Sequence, residues 1–175
     1  MNPKDLINIF TKHGFISSDA EEVEEALELV DEDEEAEINA LELLSEYACD
    51  NQIWFSLGDC VDEEIIEEFI SNFDNLLEIT EGKVSIEGLS STPEAGTKIS
   101  ENQEVKISFS WNNKDFEFSF SKVEPDSFVN GFAQWAYEAL NGDFLLINDD
   151  HPFGYHIPKE MIKELENIGL KNYVS

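Results

Sequence analysis

The chain has 175 residues, enough for one domain with a real core, and 41% of them are apolar, so its acidity does not imply general disorder. Forty Asp and Glu stand against ten Lys and no Arg, a net charge of -30, and without clustered cations a nucleic-acid ligand is excluded. No apolar run is long enough to span a membrane, MNPKDLINIF lacks the parts of a signal peptide, and Cys49 and Cys60 suit no zinc pattern; we expect a cytoplasmic protein with reduced thiols.

Pro3 to Lys12 carries Leu6, Ile7, Ile9 and Phe10, a short helix that Gly14 can stop. SSDAEEVEEALELV starts a second helix, with Ser18 as cap and Glu21 completing a capping box. Val23, Ala26, Leu27 and Val30 form one apolar face. A further face of Ile38, Leu41, Leu44 or Ser45, and Ala48 belongs either to the same helix or to a third, joined near Asp31–Ala36. IWFSL at 53–57 reads as a buried strand, and VDEEIIEEFISNF as a helix with Ile65, Ile66, Phe69, Ile70 and Phe73 inward. LLEIT and KVSIEGL read as strands on either side of Glu81-Gly82, and Gly88 to Asn102 as a loop.

EVKISFSWNNKDFEFSFSKV is the clearest hairpin: Val105, Ile107, Phe109 and Trp111 alternate with polar residues, as do Phe116, Phe118 and Phe120, around a turn at Asn112–Asp115. Pro125 to Leu140 is a helix with Phe128, Phe132, Trp135, Ala136 and Leu140 on one side, closed by Asn141-Gly142. DFLLIN and FGYHI are strands flanking DDHP, and PKEMIKELENIG is a final helix opened by Pro158. The expected fold is one α+β domain over 1–175, a mostly antiparallel sheet with packed helices, its acidic helical part at about 1–75 and its sheet-rich part at about 76–175.

The charge is not spread evenly. Between His13 and Gly82 stand 24 acids and neither a Lys nor an Arg. A solvated helix ordinarily gains from Glu–Lys pairs one turn apart, about 0.2–0.5 kcal/mol each, and like charges lose as much. This stretch forgoes every such pair, and a cationic partner would offset the repulsion. The residues expected to meet it are Glu21, Glu25, Glu28, Asp31, Glu32, Asp33 and Glu35, with Asp149 and Asp150 near the chain's end. Carboxylates in rows can also imitate a phosphate ladder, so a DNA-mimic regulator of a DNA-binding protein is an alternative.

Residues 27–44 resemble the helix–loop–helix of the EF-hand family. Asp31, Asp33, Glu35 and Glu42 fall at its first, third, fifth and twelfth loop positions, which implies calcium binding as a further alternative. The sixth position is Ala36 where the family has Gly, and no second loop follows. Asp149, Asp150, His151 and His156 gather near a strand connection that reads as a polar turn. No phosphate loop, nucleophile elbow or zinc-protease motif occurs, so we expect no enzyme, cofactor or metal. A small, acidic α+β chain whose DFLLINDDHPFGYHIPKEMIKEL lays a strand pair before a proline-started helix resembles, in type and layout, the bacterial immunity proteins. The resemblance implies an inhibitor that binds a basic toxin domain, a nuclease above all, and blocks its active site.

Overall fold

The computed structural model describes residues 3–31, 34–55, 64–147 and 152–174. In chain order these form α1 (Pro3–Lys12), α2 (Ala20–Leu29), α3 (Ala36–Tyr47), a single 3-10 turn (Cys49–Asn51), β1 (Gln52–Trp54), α4 (Ile65–Ile79) and β2 (Glu87–Thr92). There follow β3 (Val105–Trp111), β4 (Lys114–Phe120), α5 (Asp126–Ala139), β5 (Leu145–Ile147), β6 (Phe153–Tyr155) and α6 (Lys159–Asn167). The fold is α+β. Its strands make not one sheet but two, each antiparallel and three-stranded among the described residues, in the orders β1-β6-β5 and β2-β3-β4.

The alternation of apolar residues in β3 and β4 places Val105 opposite Phe120, Ile107 opposite Phe118 and Phe109 opposite Phe116. The turn is tighter than expected, with Lys114 already paired to Trp111. Asn112 and Asn113 take φ of 51° and 60°, the left-handed pair that a two-residue turn needs to match strand twist.

Two apolar clusters fill the interior. One gathers Ile53, Phe69, Phe73, Leu76, Ile107, Phe109, Phe128 and Phe132 with Phe144 and Leu146. The other gathers α1, α2 and α3 residues such as Phe10, Ala26 and Leu43 with Leu145, Tyr155, Met161 and Leu165. Neighbouring residues of a strand point to opposite faces, so the sheet β1-β6-β5 feeds both clusters, Leu146 into the first and Leu145 into the second.

The choice left open between one helix and two resolves to two: α2 ends at Leu29 and α3 begins at Ala36. Several expectations are corrected. Asp19, not Ser18, is the N-cap of α2, and no side-chain capping bond forms, so the capping box is absent. The strand expected at 53–57 ends its ladder at Trp54; Phe55 still donates to the carbonyl of Pro152, and residues 56 and 57 lie outside the described residues. LLEIT is not a strand but the end of α4, because Leu76 continues the buried face of Phe69 and Phe73 at helical spacing. α4 stops where Glu81 and Gly82 turn to φ of 51° and 75°. The next strand begins at Glu87 rather than Lys83 and takes in the first residues of the expected loop, Gly88 to Thr92.

One core residue breaks the packing logic. Asn72 on α4 is 0% exposed, and neither atom of its amide has a hydrogen-bond partner. A buried polar group left unmatched costs about 1–3 kcal/mol. Asn72→Leu keeps the branched shape and removes the unmatched dipole, so it should raise unfolding stability by about 1–3 kcal/mol. The measurement is a urea unfolding midpoint at unchanged slope. A lower midpoint would mean that the amide is satisfied in solution.

Candidate protein-binding surface

The predicted acids on α2 are placed as the sequence implies. Glu21, Glu25 and Glu28 are exposed, as are Asp31 just past the helix and Glu35 just before α3. Glu32, Asp33, Asp149 and Asp150 lie outside the described residues, as do His151 and Cys60. α2 exposes so much because it buries so little: Ala26 is its one fully buried residue.

The helix ends show what this charge does not do for the fold. Glu21 and Glu22 sit in the first turn of α2, where the macrodipole favours anions. Glu28 sits in the last turn of α2 and Glu46 in the last turn of α3, where it favours cations, and neither helix has a basic residue there. Glu25, Glu22 and Glu46 also crowd the Tyr47 phenol, which burial foremost and these carboxylates after it push above the usual tyrosine range. The nearest cations in sequence are committed elsewhere. Lys12 meets Glu164 on α6 at 2.6 Å and His13 meets the same carboxylate at 3.3 Å. Hydrogen bonding from Lys12, first of several causes, holds the Glu164 carboxyl below the usual range.

Between α2 and α3 the chain turns a corner. The buried Asn39 grips it: its Oδ1 accepts from the Asp31 N–H at 2.9 Å, and its Nδ2 donates to the Asp31 carbonyl at 2.9 Å. Glu28, Asp31, Glu34 and Glu42 converge there on a hollow of about 440 Å³. Leu29 lines the hollow and is 40% exposed, and Ile38, on the first turn of α3, is 44% exposed. The surface thus pairs two accessible aliphatic side chains with surrounding carboxylates, the pattern of an apolar interface centre within a charged rim.

This corner is not an EF-hand loop. α2 ends at Leu29 and α3 begins at Ala36, so the positions that the family's twelve-residue loop would match at Ala36 to Glu42 are already coiled into α3. Among the described residues no three His, Cys, Asp or Glu are grouped to hold a metal ion. We therefore expect calcium at millimolar concentration to shift the melting temperature no more than magnesium does. Saturable calorimetric binding that is lost in Glu42→Gln would overturn this.

A second acidic feature escaped the sequence reading. Trp54, expected inside a buried strand, is 53% exposed and stacks on Phe153 of β6 at 6.4 Å. It stands in a groove of about 700 Å³ between β1 and α4, walled by Asp50, Glu68, Glu78 and Glu81. No local signal marks it, because the groove forms only when α4 carries Glu78 and Ile79 beside the end of β1. Behind the groove, the His156 Nδ1–H donates to the Ile79 carbonyl, 3.2 Å away. Burial foremost lowers the His156 pKa, the hydrogen bond to Ile79 opposes it, and nearby Lys83 adds to the lowering. Gln52 donates to the Tyr155 hydroxyl at 2.8 Å, yet burial still pushes that phenol up to about 12. Cys49 is an exposed free thiol.

Comparison with protein-family models, curated proteins and solved structures returns no match. Among the described residues no helix is long and apolar enough to cross a membrane.

Proposed function

We propose that this chain is a protein-binding inhibitor that neutralises a basic toxin domain, a nuclease above all, in the manner of the bacterial immunity proteins it resembles. The observation that carries the reading is the exposed row of Glu21, Glu25, Glu28, Asp31 and Glu35 on and beside α2, in a stretch of chain without a Lys or Arg. Like charge crowded on one face, with Glu28 set against the C-terminal dipole of α2 in a stretch of sequence that holds no Lys or Arg, weakens the free protein. A partner surface rich in Lys and Arg turns the same charge into steering and complementarity. The exposed Leu29 and Ile38 give such a complex an apolar centre.

The test is direct. A basic nuclease toxin domain encoded beside this chain should bind it one to one and lose its nuclease activity, and excess duplex DNA should compete with the complex. A complex that leaves nuclease activity intact would sink the inhibitor reading. A partner that binds DNA without cutting it would turn the reading to DNA mimicry.

A further inference from the structure

The sheet β1-β6-β5 has two edges, and they are treated differently. The β5 edge is covered by the chain's last residues: the Tyr173 N–H donates to the Leu146 carbonyl, and the Leu146 N–H donates to the Asn172 side chain. The β1 edge pairs with no strand among the described residues. Its main-chain directions can be read from its partners. The Asn51 carbonyl accepts from His156, and the Phe55 N–H donates to Pro152, so 51, 53 and 55 address β6. Gln52 and Trp54 therefore turn their main-chain groups the other way. The Gln52 N–H goes back to the Cys49 carbonyl. The N–H and carbonyl of Trp54 remain directed out from the edge.

The groove walled by α4 lies along that edge, and its chemistry is specific. Trp54 offers an accessible indole face, held in place by its stack on Phe153. Carboxylates stand on both sides, Asp50 from β1's approach and Glu68 and Glu78 from α4. Beside those carboxylates, Asn75 and Ile79 of α4 complete the wall. Trp54 stacks on Phe153, on the sheet face opposite Ile53 and α4; its indole favours a cation through the ring quadrupole, and the carboxylates of the groove favour a basic segment along the edge. An open strand edge favours an extended backbone.

We propose that this groove binds an extended basic segment of a protein partner, which adds to β1 as a fourth strand and lays a Lys or Arg side chain against Trp54. In an added antiparallel strand the residue opposite Trp54 has its side chain on the same face, close enough to reach the ring. Its neighbours, on the other face, reach toward α4. The proposal rests on the reading of a basic partner but moves a defined contact away from α2, to a site where main-chain pairing gives selectivity for conformation and not for charge alone.

The probe is a blocked heptapeptide of alternating Arg and Val, titrated by calorimetry into the full chain. It should bind, and its Glu/Val twin should not. Trp54→Ala should weaken binding about tenfold or more, and Trp54→Phe, which keeps a ring, should restore most of it. Trp54 is exposed, so both variants should melt with the wild type. A peptide N-methylated at every second residue loses the main-chain donors of one edge and should also weaken about tenfold. The α2 pair Glu21→Gln and Glu25→Gln should leave peptide affinity within about twofold, since neither carboxylate lines the groove and both are exposed and screened. Equal binding by Trp54→Ala, equal binding of the N-methylated peptide, or no binding to the wild type would each overturn the groove proposal. None of these touches the acidic-face reading, which fails on its own if the α2 substitutions leave association with a basic toxin domain unchanged.

Discussion

Phe73→Ala should lower unfolding stability by about 3–5 kcal/mol, the largest loss expected from a single change in this chain. The ring is fully buried and sits where α4, the hairpin and α5 meet. Phe109 lies 5.0 Å away on β3, Phe132 5.0 Å and Trp135 5.5 Å away on α5, each edge-on or tilted to it. Phe118 stacks against it from β4 at 6.3 Å. Truncation leaves a void lined by rings that are themselves held in place by other rings, such as the Phe69–Phe128 stack at 4.3 Å. Such walls relax little, and the cost of a cavity grows with the volume that stays empty. Phe118→Ala should lose less, because its ring is only half-buried and water can reach part of the space left behind. Equilibrium urea unfolding followed by circular dichroism measures both. A loss below about 1 kcal/mol for Phe73→Ala would mean that the three elements close over the gap, and that the cluster is looser than its ring contacts imply.

How much of this fold can be read in the chain depends on whether the signal is local. The hairpin is legible because a period of two runs through Val105 to Phe120 and a pair of Asn residues sits at its turn. α1, α5 and α6 are legible because their apolar residues recur at helical spacing between clear stops. LLEIT misleads because five residues hold too few repeats to tell a strand from a helix, and only the packing of Leu76 beside Phe73 decides it. β2 is Glu, Gly, Leu, Ser and Thr with no buried residue, so its pairing to β3 is what makes it a strand. The split into two sheets is also invisible locally, since β1 pairs with β6 across about a hundred residues of chain. The candidate surfaces divide the same way. The acidic row on α2 is one segment and reads directly from its composition. The Trp54 groove joins β1 to α4 and needs the fold to exist at all.

Replacing Glu21, Glu25, Glu28 and Glu35 with Gln should slow association with a basic toxin domain about tenfold or more at low salt, the second large effect. All four side chains are exposed, and none is buried against the core. Steering arises from the summed field ahead of contact, so removing four charges from one face acts on the encounter. It should act far less on dissociation, which depends on desolvated contacts such as those that Leu29 and Ile38 are placed to make. Salt should mimic the substitutions. The screening length is about 8 Å at physiological ionic strength, shorter than the approach over which steering operates, so the wild-type rate should fall steeply as salt rises and converge on that of the variant. The free variant should be at least as stable as the wild type. Gln keeps the shape and nearly the helix propensity of Glu, and loss of Glu28 removes a negative charge from the C-terminal turn of α2. A slower association could then not be blamed on unfolding. Stopped-flow mixing across a salt series, with both proteins and one partner, reads the two rates separately. An association rate indifferent to both salt and the four substitutions would reduce the acidic row to a solvated face. The contact with the partner would then have to be sought where charge and an accessible aromatic ring coincide, at Trp54.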